Sequence, residues 1–221
     1  MQLDFSIILN YIPDFFKALL VTLQVTFAAL LMGLLFSIPL SLCKISNLKP
    51  LQWIASFYTS IFRGVPLMVQ VFMMYFGIPL VLPVRFTAFQ AGSLVFAMNS
   101  AAYISESMRG GIAAIDRGQY EAAMALGVHY PSMMKDIILP QAIKSVLPSL
   151  VNEFISLLKN TTLIASIGLV DILRVGQLIQ SRTYRAFEPF FAISVFYYIL
   201  VMALSFAGKL LERWVNKSDR H

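Results

Sequence analysis

Uncharged, apolar stretches recur along the chain at residues 18–43, 64–84, 86–105 and 189–208, with lengths of 26, 21, 20 and 20 residues. Each reaches the ~20 residues that a helix rising ~1.5 Å per residue needs to cross ~30 Å of hydrocarbon. A fifth stretch, 145–170, is 26 residues long but holds Glu153 and Lys159. The pattern predicts an all-α polytopic membrane protein with five transmembrane helices. The second of them carries its own interruption. Residues 51–84 as one helix would run about 51 Å, too long for a bilayer unless tilted or broken. Gly64, Val65 and Pro66 supply the break, with Pro66 suited to the first turn of a restarted helix.

The polar stretch 109–144, between the third and fourth spans, is too long for a simple turn and too patterned for a linker. Asp116 followed by Gln119 reads as an N-cap with a capping-box partner, and Gly127 as a C-terminal stop. Between them a helix of about two turns places Tyr120, Ala123, Met124 and Gly127 on one small, apolar stripe, with Glu121 and Ala125 turned elsewhere. So short a helix needs a cover for that stripe, either the chain's own helix ends or a cytoplasmic partner.

Composition agrees with the membrane reading: of 221 residues, 58% are hydrophobic and 13% charged, about half the ~25% charge of a soluble domain. The N-terminal residues, with Asp4 and Asp14, do not read as a cleaved signal. Placing the C-terminus in the cytoplasm and the N-terminus outside puts ten Lys and Arg residues inside, among them Lys44, Arg109, Lys144 and Arg213. Only Lys17, Arg85, Arg174, Arg182 and Arg185 then lie outside, as the positive-inside rule favours. The net charge of +6 is dispersed, a topology and lipid-headgroup signal rather than a nucleic-acid one. Cys43 is alone, and His129 and His221 lie far apart, so no metal centre is expected. No nucleotide-binding loop and no serine-nucleophile motif occurs, which points away from catalysis and from a bound cofactor.

Glu121-Ala122-Ala123, then Gly127, then Ile138-Leu139-Pro140 resembles the EAA loop of ABC importer permeases. Arg109-Gly110-Gly111-Ile112 and Gly118-Gln119-Tyr120 match the polar amino-acid (histidine/glutamine/arginine-type) branch of that family. Phe62-Arg63-Gly64-Val65-Pro66-Leu67 with Val69-Gln70 resembles the branch's F-R-G-T-P-L-x-V-Q run, and 152–159 its N-E-F-I-S-L-L-K run. The resemblance implies a type I ABC importer permease fold in the bacterial cytoplasmic (inner) membrane. Residues 1–17 would be an extracytoplasmic segment, 18–208 the permease domain and 209–221 a cytoplasmic tail. It implies a second permease subunit, two ABC ATPases that hydrolyse ATP, and an extracytoplasmic amino-acid-binding protein. Tyr120, Glu121, Ala122, Ala123, Leu126 and Gly127 would couple to the ATPases, with Ala123 and Gly127 small enough for close approach to an ATPase groove.

Within the membrane, Asn99, Tyr103 and Glu106 share one face of the third span, and Glu153, Ser156 and Asn160 one face of the fourth. A charge in a span costs at least ~2.5–3.5 kcal/mol, so Glu153 should face a polar interior. A broken helix offers free N–H groups to an anion. The expected solute site therefore pairs an amino-acid carboxylate with the 64–67 backbone, including Gly64, Pro66 and Leu67, and with Arg63. The ammonium would meet Glu153, with Asn99, Ser156 or Asn160 nearby. Asn99 has an alternative role as a hydrogen bond between helices; Glu106 reads as structural, and Asp171 as a helix cap or a contact for the binding protein. Many family members carry Asp where this chain has Asn160, which argues against a dedicated Arg or Lys carrier. A self-contained channel or secondary transporter is the alternative function, but it leaves the EAA-like loop without a role.

Overall fold

A computed structural model describes residues 3–216; the tail residues beyond, including Lys217, Arg220 and His221, lie outside the described residues. After a single helical turn, Ser6–Leu9, the chain forms α1 (Ile12–Ile45), α2 (Lys49–Gly64) and α3 (Leu67–Val81). Then come α4 (Ala88–Ala113), α5 (Arg117–Ala125), α6 (Tyr130–Ile167), α7 (Ile172–Thr183) and α8 (Phe187–Asn216). Among the described residues α1 and α8 are each long and apolar enough to cross a membrane. The bent pairs α2–α3 (103°) and α6–α7 (45°) raise that to four if each pair is one span.

The remaining expected span, α4, is 26 residues long, about 39 Å. It falls short on apolarity because it is the centre of the bundle. Half of it is buried, including Ser93, Asn99, Ser100 and Ser105, and protein rather than lipid covers those groups. Its alanines and serines let α1 run close along it. A Cβ at Gly33 would stand 3.0 Å from the Ser100 Cβ and 3.2 Å from the Ala97 carbonyl oxygen, so glycine there sets the helix separation. The main core forms around this contact, from Val25 and Ala29 of α1, Val71 of α3, Val95 and Phe96 of α4, and Leu157 and Ile164 of α6.

The break between α2 and α3 falls where the sequence places it, and its chemistry is legible. In a continuous helix the Phe62 carbonyl would accept from residue 66, but Pro66 has no N–H. The Asn99 Nδ2 donates to that orphaned oxygen at 2.6 Å and the Gln70 Nε2 at 3.0 Å; Gln70 also donates to the Val65 carbonyl at 2.8 Å. A membrane offers no water to do this work, so the break persists because two buried amides satisfy it.

Two wide π-turns, Met73–Gly77 and Met134–Ile138, are not foreseen by the periodicity. Each ends two residues before a proline, Pro79 or Pro140, whose ring displaces the carbonyl four residues back. Pro39 and Pro148 lie in ordinary α-helix, so proline permits the widening without dictating it.

The fourth span also differs from its expected bounds. Its helix starts at Tyr130, inside the stretch expected as loop, and after Asn160 tightens into a 3₁₀ turn, Thr161–Ile167, that ends at Gly168 with φ of 90°. Beyond it α7 replaces the expected loop. Asp171 caps α7 by accepting from the Arg174 amide at 2.9 Å, and Ile172, Val175 and Ile179 pack against Phe15, Ala18 and Ile193. The N-terminal segment is likewise tied down: the Asp4 amide donates to Glu188 Oε1 at 3.2 Å, and Arg185 pairs with the same oxygen at 2.8 Å.

Candidate functional site

The polar face of α2 opens onto α4. Ser56, Thr59, Ser60, Arg63 and Gly64 line a cleft of about 450 Å³ with Tyr103 and Glu106. The four side chains of α2 recur at i, i+3, i+4 and i+7, so one turn periodicity delivers them all to one face. The Arg63 guanidinium lies over the Tyr103 ring, 5.0 Å from its centroid. No Cβ added at Gly64 would touch anything within 4 Å, so the backbone at the break is open to the cleft.

Arg63, Gly64, Tyr103 and Glu106 are thus brought together. Asn99 sits on the same helical face but spends its amide on Phe62. Replacing it with leucine is expected to cost about 0.5–1.5 kcal/mol of stability by removing the shorter of the two amide bonds to the Phe62 carbonyl, which Gln70 alone would then satisfy; thermal unfolding in detergent measures this, and wild-type stability would refute the assigned role. At the cytoplasmic rim Glu106 pairs with Lys44 at 2.7 Å and with Arg109 at 3.0 Å, the structural role its position suggests.

Glu153 lies beside the buried Ser100 of α4. Glu153 is not among the residues that line the Arg63 cleft. Ser156 and Asn160 are half-buried on α6, away from the residues that line the cleft. Gln70, whose side chain braces the break, is a site residue that sequence reasoning quoted in a motif but assigned no role; a buried amide four residues after a helix-breaking proline was the available signal.

The second site is α5. Asp116 caps it, accepting from the Gly118 amide at 2.6 Å; the expected reciprocal bond from Gln119 is replaced by a contact between Gln119 and Gln141. At the other end Gly127 adopts φ of 71°, its amide donating to the Met124 carbonyl at 3.0 Å and the Val128 amide to Ala123 at 3.0 Å. That pair of bonds is a Schellman cap, which needs the left-handed conformation glycine gives without strain.

The anticipated stripe divides between the two covers. Ala123 is buried against Met133 and Ile138 of α6, and Tyr120 packs beside it, where burial, with Tyr130 adding to it, raises the phenol above its ordinary pKa. Glu121, Ala122, Met124 and Leu126 are exposed, Leu126 at 82% and Met124 at 63%. Ala123 is therefore small because of its own chain, and Gly127 is glycine because of its backbone angle; a Cβ there would meet nothing within 4 Å. The chain's own α6 covers the inner face, and the outer face is exposed.

Comparison with known proteins gives a consistent result. A family model described as "binding-protein-dependent transport system inner membrane component" matches residues 29–217. The chain is 46% identical over 219 residues to the arginine transport system permease protein ArtQ of Bacillus subtilis (strain 168), covering 99% of this chain and 100% of that one. It is 45% identical over 194 residues to a putative glutamine transport system permease protein GlnP of Rickettsia felis, covering 88% and 89%. A crystal structure of an amino acid ABC transporter with histidines superposes with a TM-score of 0.92 at 41% identity, over 96% of this chain and 99% of the other. An inward-facing methionine ABC transporter superposes at 0.80 with 20% identity, over 93% and 98%, a likeness of fold alone.

Proposed function

The chain belongs to the family of binding-protein-dependent transport system inner membrane components, and from that premise we propose how this amino-acid ABC transporter permease subunit engages its solute and its motor. It is a multi-pass bacterial inner-membrane protein of the type I importer permease fold. The observation that carries the proposal is α5, a helix capped at both ends and seated on α6, whose outer face presents Glu121, Ala122, Met124 and Leu126 outside the fold.

Two ATPase subunits dock on that outer face from the cytoplasm, one for this chain and one for a second permease subunit. This chain has no ATPase site of its own; ATP is bound and hydrolysed by the partners. An extracytoplasmic binding protein delivers the solute. Because α5 is seated on α6 through Ala123, Met133 and Ile138, motion imposed on α5 passes directly to a membrane-crossing helix, a two-state element biased by nucleotide.

The solute is a polar amino acid. The similarity to permeases named for arginine and glutamine supports that class. Asn160, neutral where many family members carry Asp, favours a glutamine-like side chain over a cationic one. Arg63 and the helix break, where Gly64 is open and Leu67 restarts the helix after Pro66, receive the carboxylate, and Glu153 the ammonium. Glu153 does not line the cleft that holds Arg63, so the two contacts are assigned to different stages of the transport cycle rather than to one rigid pocket.

Reconstitution with a cognate ATPase and binding protein tests the whole reading: solute-stimulated ATP hydrolysis and ATP-dependent uptake are expected, and solute flux without ATP or any partner would establish a channel instead. Within that assay Glu153→Gln is expected to weaken transport affinity at least about tenfold, the effect of losing one charge-assisted contact. Unchanged affinity for every amino acid would remove Glu153 from the site.

A further inference from the structure

At the extracytoplasmic end a cavity of about 320 Å³ opens between α1 and α7, and nothing in the transport reading uses it. Its rim carries Tyr11, just before α1, Asp14 and Lys17 from α1 and Arg182 from the last turn of α7; its floor includes Val21 and Val175. Asp14, Lys17 and Val21 recur at i, i+3 and i+7, and Val175, Leu178 and Arg182 do the same on α7, so two helix faces converge with polar groups on the rim and apolar ones below. Among the described residues Asp14, Lys17 and Arg182 make no ion pair or hydrogen bond with the rest of the chain, although the cavity brings them together.

The level of this cavity in the membrane is fixed by the chain. The uncharged run of α1 begins at residue 18, one position after Lys17, and Tyr184 is 88% exposed two positions after Arg182. Bases that end an apolar run and an exposed tyrosine mark the boundary between hydrocarbon and headgroups. Phe16 and Leu20 are exposed at 59% and 60% on the neighbouring face of α1, as lipid-facing side chains are. A ligand here meets two cations, one carboxylate and a phenol at headgroup depth, over an apolar floor.

We propose that this cavity holds the headgroup of a zwitterionic glycerophospholipid bearing a primary ammonium. Lys17 and Arg182 take the phosphodiester, from opposite walls. Asp14 accepts from the ammonium, with the Tyr11 hydroxyl beside it, and the acyl chains leave over the half-buried Val21 and Leu178 towards the exposed Leu20. The carboxylate is what makes the choice: an anionic headgroup would engage the two bases but bring Asp14 no cationic donor of its own, and a quaternary ammonium has no N–H to donate to it.

The assembled transporter, relipidated in micelles with phosphatidylethanolamine, phosphatidylcholine or phosphatidylglycerol of the same acyl chains, tests this by native mass spectrometry of retained lipid. Phosphatidylethanolamine is expected to be retained over the other two. Lys17→Gln and Arg182→Gln should each weaken retention of it about fivefold, and Asp14→Asn should erase its advantage over phosphatidylcholine while leaving binding of both. These side chains are exposed, and unchanged gel-filtration profiles of the variants verify that the fold survives. Preference for phosphatidylglycerol, retention indifferent to the three substitutions, full displacement by inorganic phosphate, or loss of the lipid on adding the binding protein would each overturn the proposal. The last two would assign the cavity to free phosphate or to the delivering protein.

Discussion

Glu106→Leu is expected to destabilise the permease by about 3 kcal/mol, the lower end of the range for breaking a buried ion pair. The cost lies on the partner. The Lys44 side chain is 3% exposed, and its ammonium holds Glu106 at 2.7 Å and the Ser105 hydroxyl at 2.7 Å. Without the carboxylate a buried cation is left with one neutral acceptor, and desolvation is no longer offset. The second bond to Glu106, from Arg109, is half exposed and adds little. Thermal unfolding of the purified complex reads the effect. Lys44→Met combined with Glu106→Leu removes both charges and should recover most of the loss; a double variant no more stable than Glu106→Leu alone would show that the pair is not the cause.

This pair also shows what the chain makes legible. Glu106 reads as structural from its place at a helix end, but its partner lies 62 residues away on α1, and no local pattern names it. The break at Pro66 is written in the sequence because one residue lacks an N–H. The amides that make the break tolerable, Asn99 and Gln70, are assigned only by packing. Asn99 looks equally like a solute contact or a brace until Phe62 is found 2.6 Å away. Apolar run length located α1 and α8 well, since each keeps a long exposed apolar face. It located α4 as well, although that helix's neighbours are protein, but overlooked α7, whose Asp171 cap and Ile172, Val175, Ile179 periodicity were available but outweighed by its polar residues. The stripe on α5 was visible as a set. Its division between Ala123, covered by α6, and Met124, left exposed, depends on Met133 and Ile138 folding back, a tertiary event.

Gly127→Val is expected to lower solute-stimulated ATP hydrolysis at least about tenfold while the protein still inserts. The residue sits at φ of 71°, where a β-branched side chain is a genuine outlier and an L-residue costs roughly 1–2 kcal/mol. Nine residues of helix have little stability to spare, so strain of that size depletes the capped, seated form of α5 by about the same tenfold. The structure separates two causes that the sequence leaves joined. If the backbone angle matters, Gly127→Asn, which tolerates the left-handed region, should retain most of the stimulation, and Gly127→Ala should fall between. If instead glycine is needed for close approach to the ATPase groove, asparagine should be as damaging as valine, because a Cβ at this position has open space within its own chain. Stimulation measured across Ala, Asn and Val in reconstituted vesicles, at matched membrane levels, decides between them. Normal stimulation in the valine variant would remove α5 from the coupling path altogether.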